Sequence, residues 1–291
     1  MKVSYYPGCS LEGTARSYDA SVRQVCRILG IELDEPKDWT CCGASPALKI
    51  NNLLSVSLTA RNLALMEKTN NTDVVAPCPF CSRRLKSANE ELKNNPELKQ
   101  KTQEVIDDEI AGKLVIHNLL GFISEQIGME AIMSRISKPL KGLKLIPYYG
   151  CYVVKPPSVT QYDDAERPTS LDKILETLGA DVLDWDFKSE CCGAGLALSK
   201  TEKVAELSGR LVSEAAWRGA EMIVVVCPLC QANLDMRQGD ANSRVKTGSG
   251  IPIVYFTQLI GLAFGLAPAE LGLNHHIIDP VPALRQKGFV S

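Results

Sequence analysis

Eleven cysteines stand in this chain of 291 residues, and ten of them fall into two matching sets. The first set is Cys9, then 31 residues, the adjacent pair Cys41-Cys42, then 35 residues, then Cys78-x-x-Cys81. The second is Cys151, then 39 residues, Cys191-Cys192, then 34 residues, then Cys227-x-x-Cys230. In a reduced cytosol a disulfide scaffold is disfavoured, so metal binding or redox work becomes the leading chemistry. Structural zinc takes four ligands, and an ordinary iron–sulfur cube also takes four thiolates. The fifth cysteine of each set lies beside the fourth and is surplus for either. It fits a larger or distorted cluster in which neighbouring thiolates touch different irons. Zinc, and thiol chemistry without metal, stay open as alternatives.

The sequence around the cysteines repeats as well. "SYYPGC" pairs with "PYYGC", "DWTCCGASPALK" with "KSECCGAGLALSK", "VVAPCPFC" with "VVVCPLC", and "GKLVIHNLLGF" with "GIPIVYFTQLIGL". This is an internal duplication with a period of about 140 to 150 residues. The second half has extra residues between its first cysteine and its pair, in "KPPSVTQYDDAERPTS". The first half has a longer polar helix after its Cys-x-x-Cys, "SANEELKNNPELKQKTQEVIDDEIAG". The boundary is read in the basic, Pro/Gly-containing stretch 137–147, giving domains 1–140 and 141–291.

Each half begins with an apolar strand that runs into its first cysteine. Helices are expected over 14–29 and 170–178, where Val22, Val25, Cys26 and Leu29 recur at helical spacing in the first. Short strands lead to each Cys-Cys-Gly turn, and long helices follow over 51–68 and about 200–218. "DVVAP" and "EMIVVV" are continuous apolar runs typical of strands buried on both faces. A helix starts at each Cys-Pro-x-Cys, and a last strand and helix close each half. The fold class is therefore α/β: two homologous domains, each a small, mostly parallel sheet flanked by helices, related by pseudo-two-fold duplication. Ligands of such sheets gather beyond the carboxyl ends of the strands, so five thiols should meet there in each half. A helix N-terminus at each Cys-x-x-Cys favours thiolate and an anionic cluster, and Gly43 and Gly193 suit a sharp turn close to a bound group.

Composition excludes other classes. Apolar content is 45%, enough for buried cores, and the formal net charge is -2, so nothing calls for nucleic acid or an anionic membrane. No apolar run reaches the roughly 18 residues of a membrane-spanning segment, and "MKVSYYPGCS" lacks a signal-peptide shape, so a cytoplasmic location is expected. No Gly-rich loop matches a dinucleotide or phosphate fingerprint, so the chain is not expected to bind its own flavin or nicotinamide.

The pattern Cys-x(31–39)-Cys-Cys-x(34–36)-Cys-x-x-Cys, with Cys-Cys-Gly at its centre, resembles the cysteine-rich (CCG) domain family. Two such domains in one chain resemble the HdrB family of heterodisulfide reductases, and the tail "LGLNHHIIDPVPAL", 271–284, is similar to the C-terminal stretch of that family. Related CCG proteins serve lactate, glycerol-phosphate and succinate or fumarate oxidoreductases, often with added ferredoxin-type cysteine runs or one degenerate set. This chain has neither.

The resemblance implies an oxidoreductase acting on a sulfur group. One noncubane [4Fe-4S] cluster would be held by Cys9, Cys41, Cys42, Cys78 and Cys81. A second would be held by Cys151, Cys191, Cys192, Cys227 and Cys230. The clusters would face each other across the domain interface, and a disulfide entering between them would be split into two thiols, each sulfur held by a different cluster. In methanogenesis that disulfide is coenzyme M–coenzyme B; in bacteria it would be another sulfur compound. Electrons would come from an HdrC-like iron–sulfur donor protein, fed by an HdrA-like flavoprotein. The alternatives are an electron-transfer subunit with clusters and no disulfide chemistry, or a zinc-stabilised docking subunit, with zinc in one half.

Other residues have plainer readings. Cys26 is expected to pack as a small hydrophobe. His117 is read as starting a helix, with Thr257 as its counterpart, in a capping or packing role. His275 and His276 are adjacent and point apart, with His276 the one able to approach a substrate cavity. Arg83, Arg84, Arg237 and Lys155 are read first as surface charges and second as anchors for anionic groups.

Overall fold

The computed structural model describes residues 1–44, 50–239 and 250–290. Residues 45–49, part of the first Cys-Cys-Gly repeat, lie outside the described residues.

Among the described residues the chain forms two four-stranded sheets, all parallel. The first contains β1 (Lys2–Tyr5), β2 (Glu32–Asp34), β3 (Asp73–Ala76) and β4 (Val115–Asn118), in the order β2-β1-β3-β4. The second contains β5 (Lys144–Tyr148), β6 (Asp181–Val182), β7 (Met222–Val225) and β8 (Ile253–Tyr255), in the order β6-β5-β7-β8. The orders are the same, as the duplication requires. The central strands are buried: Val74, Val75 and Ala76 in β3 and the whole of β7 are closed to solvent, as expected of a parallel sheet covered on both faces.

The helices of the first half include α1 (Gly8–Glu12), α2 (Arg16–Ile28), α3 (Asn52–Glu67), α4 (Pro79–Asn94), α5 (Pro96–Ile106) and α6 (Leu119–Gly121), which continues as a π-helix to Ile127. In the second half α7 is Cys151–Val154, α8 Ser170–Thr177, α9 Thr201–Trp217, α10 Pro228–Met236 and α11 Phe256–Ala263. α2 forms because Tyr18, Val22 and Val25 fall on one buried face, while Asp19 and Arg23 pair at i,i+4 on the other. Pro79 and Pro228 occupy the first positions of α4 and α10, where a missing N–H costs nothing.

The polar segment after the first Cys-x-x-Cys is two helices where one is expected. α4 stops at Asn94 because Pro96 restricts Asn95 to an extended backbone. Asn95 then caps α5, its side-chain oxygen accepting from Leu98 N at 3.0 Å.

The halves pack reciprocally. α1 rests on α10 and α7 on α4, so each half's first helix covers the other half's Cys-Pro-x-Cys helix. α2 packs on α11, and α8 on α6 and its π-helical extension. At the contact of α2 with α11, Tyr18 stacks on Tyr255, with ring centroids 4.1 Å apart and planes 3° from parallel. Tyr18 also donates to the Val226 carbonyl at 3.1 Å, and the Ser21 and Thr257 hydroxyls bond at 2.6 Å. Val22, Val25, Phe256, Leu259 and Ile260 are buried around them, each contributing about 1.5–3 kcal/mol relative to exposure.

Candidate metal centre

The strand order explains where the cysteines gather. β1 and β3 are neighbours, and the chain leaves β1 for β2 on one side and returns to β3 on the other. The crevice beyond their carboxyl ends is the topological switch point, where open sheets bind ligands. Cys9 follows β1 and Cys78 follows β3; Cys151 and Cys227 repeat this on β5 and β7. The Cys-Cys-Gly loops fold over the same rim.

Two tyrosines hold those loops. Tyr6 donates its hydroxyl to the Thr40 carbonyl at 2.5 Å, and Tyr148 donates to the Glu190 carbonyl at 2.7 Å. Each accepting carbonyl immediately precedes the cysteine pair. The other tyrosine of each doublet turns the opposite way: Tyr5 bonds Asp19 at 2.7 Å and Tyr149 bonds Asp172 at 2.6 Å. After each pair a helix hydroxyl takes over, Thr59 donating to the Cys42 carbonyl at 2.7 Å and Ser208 to the Cys192 carbonyl at 3.2 Å. Gly43 and Gly193 have positive φ, as the turn expectation requires.

The thiols of each set are neighbours, near enough to shift one another's charge. In the first, Cys41 meets Cys42, Cys42 meets Cys81, and Cys81 meets Cys78, with Cys9 close to Cys42 and Cys78. In the second, Cys151 meets Cys191, Cys227 meets Cys230, and Cys230 lies 3.5 Å from Cys192. Cys78 and Cys227, one from each set, are near enough across the interface to shift each other's charge. No three or more of the described His, Cys, Asp and Glu side chains close on one metal-ion position; the sulfurs instead run as a chain of neighbouring pairs.

Contact among thiols decides their charge, since a proton shared on one sulfur favours thiolate on the next. Cys42 is lowered to about 3 by Cys41 and then Cys81, and Cys191 to about 6 by Cys151. Cys78 is held well below the usual thiol range by Cys227 and Cys81. Burial raises Cys227. Cys9 and Cys191 are exposed and Cys41 and Cys151 half-buried, whereas the other six of the ten are buried.

The surroundings suit a bulky sulfur-rich group. Gly8 and Gly150 have φ of 74° and 69°, and a Cβ on either would lie 2.9 Å from the sulfur of Cys81 or Cys230. Only glycine fits there. Soft thiolates at helix starts are donors for iron–sulfur groups or zinc, so the residues present fit the expected class of cofactor.

The remaining residues fall as follows. Cys26 is in the core, its thiol pushed up to about 12 by burial. His117 lies within β4, not at a helix start, and its Nε2 bonds Asp73 at 2.7 Å. It pairs with Val75 as Val254 pairs with Val224, and Val75 and Val224 each precede a Cys-Pro-x-Cys by three residues. Its counterpart is therefore Val254, not Thr257. His276 is buried between Gln231 and Gln258, 3.0 Å from each, and burial lowers its pKa. The tail is tied down there by Asp235, which accepts from the backbone of Ile277 and Ile278 at 2.8 and 3.1 Å. His275 is exposed. Lys155 pairs with Glu166 at the surface. Arg237 bonds Asn233 and the Ala197 carbonyl. Arg83 stacks 4.4 Å over Tyr152, and Arg84 is buried beside Glu91.

The family model of the cysteine-rich domain (CCG) matches residues 3–86 and 146–235. Over 95% of its length the chain is 32% identical to the 8-methylmenaquinol:fumarate reductase membrane anchor subunit of Wolinella succinogenes, of which it covers 96%. It is 28% identical over 97% of its length to the B subunit of a ferredoxin:CoB-CoM heterodisulfide reductase from Methanosarcina mazei, again covering 96% of that protein. Its fold is similar to the crystal structure of a hypothetical protein from Helicobacter pylori, with a TM-score of 0.77 at 14% identity. The match covers 95% of this chain but spans about half, 51%, of that one.

Proposed function

The chain belongs to the cysteine-rich (CCG) domain family, within its HdrB-like group, and from that premise we propose that it is the disulfide-reducing subunit of a multi-subunit redox complex. Its functional units are residues 1–140 and 141–291. Cys9, Cys41, Cys42, Cys78 and Cys81 would hold one noncubane [4Fe-4S] cluster, and Cys151, Cys191, Cys192, Cys227 and Cys230 a second. The observation that carries the reading is two complete sets whose Cys78 and Cys227 thiols are near enough to shift each other's charge.

The net reaction adds two electrons and two protons to one S–S bond and releases two thiols. Bound clusters supply one-electron transfer, which the thiols alone do not. The chain's own residues do the positioning. Tyr6 and Tyr148 pin the cysteine pairs, while Gly8 and Gly150 leave room beside Cys81 and Cys230. Burial of Cys42, Cys78, Cys81, Cys192, Cys227 and Cys230 keeps water from the interior of the site. The exposed Cys9 and Cys191 leave one side of each set open. Electrons would arrive from an HdrC-like iron–sulfur protein, supplied by an HdrA-like flavoprotein.

A second reading is favoured by the Wolinella relative, named as a membrane anchor of a fumarate reductase. On that reading the same cysteines carry electrons between partners without disulfide chemistry. No helix among the described residues is long and apolar enough to cross a membrane, so an anchoring role would rest on other contacts.

The readings separate when the anaerobically purified, reduced protein is offered disulfides. The first predicts that thiols are released together with a disulfide-dependent paramagnetic signal. Oxidation by a quinone or a partner protein, with no thiol release from any disulfide, would establish the second instead.

A further inference from the structure

Duplicated cavities flank the two cysteine sets, and they have diverged in charge. The first is lined by Ala44, Phe80, Arg83, Arg84 and Ser87, with Asn52, Glu91 and Tyr152 completing it. The second is lined at the corresponding positions by Ala194, Leu229, Ala232, Asn233 and Met236, with Ala197 and Arg237. Each encloses about 310 Å³, room for a small ligand or one arm of a larger one. Phe80 and Leu229 are the residues between the cysteines of each Cys-Pro-x-Cys, and Ala44 and Ala194 follow each Cys-Cys-Gly. Both cavities therefore border the segments that carry the cysteines.

Among the described residues lining the second cavity, the one charged side chain, Arg237, is spoken for. Arg237 donates to Asn233 at 2.9 Å and to the Ala197 carbonyl at 3.2 Å, and Asn233 donates to the Cys192 carbonyl at 2.6 Å. The first cavity differs. Arg84 is 6% exposed, and its Nε and Nη2 have no hydrogen-bond partner among the described residues. Its carboxylate neighbour among the described residues is Glu91 at 4.0 Å, itself bonded by Asn52 at 3.2 Å, and the Cys42 sulfur is near enough to act on its charge. Arg83 stands next to it, stacked on Tyr152 and with its own Nε unpartnered. Two guanidinium groups face Glu91 and the Cys42 sulfur, and Arg83 Nε and Arg84 Nε and Nη2 still lack an acceptor among the described residues. A buried guanidinium without acceptors is strongly disfavoured, and a planar oxyanion offers the fork geometry that relieves it.

We propose that the Arg83–Arg84 cavity of the first half binds a carboxylate-like oxyanion on a small-molecule substrate, while its counterpart in the second half receives an uncharged group. This rests on the disulfide reading for the identity of the substrate, but not for the anion site itself. Arg84 is a specificity-determining residue on this account, with Arg83 and Asn52 around it.

The test is calorimetric titration of the anaerobically purified, oxidised protein with dithiodipropionate, with the neutral hydroxyethyl disulfide, and with suberate, the sulfur-free analogue of the first. Dithiodipropionate should bind about tenfold more tightly than the neutral disulfide, and Arg84→Met should erase that difference without weakening the neutral ligand. Arg84→Lys should restore part of it, and Lys155→Met, at a surface cation, should leave it intact. Equal binding of the two disulfides, or an advantage that survives Arg84→Met, overturns the anion site and leaves the disulfide reading standing. If neither disulfide binds but suberate does, in an Arg84-dependent way, the anion site is upheld and the disulfide reading falls. Failure of all three ligands overturns both.

Discussion

Cys78 and Cys227 are neighbours across the interface between the two halves, near enough to shift each other's charge, each the first thiol of a Cys-Pro-x-Cys helix start. They bring near each other two sets that the chain builds some 150 residues apart. Both lie in a region where α1 and α10, and α4 and α7, cover each other reciprocally. The duplication thus has a physical consequence: each half's first helix covers the Cys-Pro-x-Cys helix of the other.

Replacing one of these two sulfurs should disable mainly its own half. Cys78→Ala is expected to lower bound iron from about eight to about four per chain, with Cys227→Ala doing the same for the other set. Iron and acid-labile sulfide measured on each variant check this, and unchanged iron in both would remove these thiols from the ligand set.

The glycines before Cys9 and Cys151 are expected to tolerate no side chain. Gly8→Ala puts a Cβ 2.9 Å from the Cys81 sulfur at a φ of 74°, and Gly150→Ala does the same at Cys230 with a φ of 69°. Each should cost about 1–3 kcal/mol of stability and the metal content of its own half. Denaturant unfolding and iron analysis report the two effects separately.

Tyr6→Phe and Tyr148→Phe remove the hydroxyls that brace the carbonyls of Thr40 and Glu190. Each substitution should cost about 1 kcal/mol and speed loss of metal to a chelator, because the cysteine-pair loop is then held less firmly. Chelation rates equal to the parent protein would show that the loop needs no brace.

His276 makes stability depend on pH. Burial lowers its pKa below the ordinary 6.5, so the native chain keeps it neutral where the unfolded chain takes up a proton. Its contribution is therefore complete above about pH 6.5 and is lost as the pH falls below that value, at up to about 1.4 kcal/mol per pH unit. His276→Gln should flatten the acid limb of a thermal-unfolding profile. An identical slope in the variant would mean that other groups set it.

Much of this was legible in the residues. Ten cysteines at matched spacing mark the duplication, and the runs around Val74–Val75 and Met222–Val225 mark buried parallel strands, because period and apolar content are local properties. The doublets Tyr5-Tyr6 and Tyr148-Tyr149 are visible as a repeat, but not their division of labour. Pro7 shifts the first doublet by one position relative to its glycine, so Tyr6, not Tyr5, is the equivalent of Tyr148. The sequence misplaces His117 because an apolar strand and a helix start share the stretch "VIHNLL", and only pairing with Val75 decides between them. The burial of His276 depends on Gln231, Asp235 and Gln258, which are distant in sequence. The charge difference between the two cavities is written in Arg83-Arg84 against Ala232-Asn233, but a surface arginine and an unpaired buried one look alike until burial is known.

The central claim is that both sets are complete iron–sulfur sites, and composition tests it most directly. The chain should be purified without oxygen and its iron, acid-labile sulfide and zinc measured per polypeptide. Two [4Fe-4S]-type clusters predict about eight irons, about as much sulfide and almost no zinc. About four irons with one zinc would contradict the account, because one half would then be structural and the two joined sets could not work as a pair.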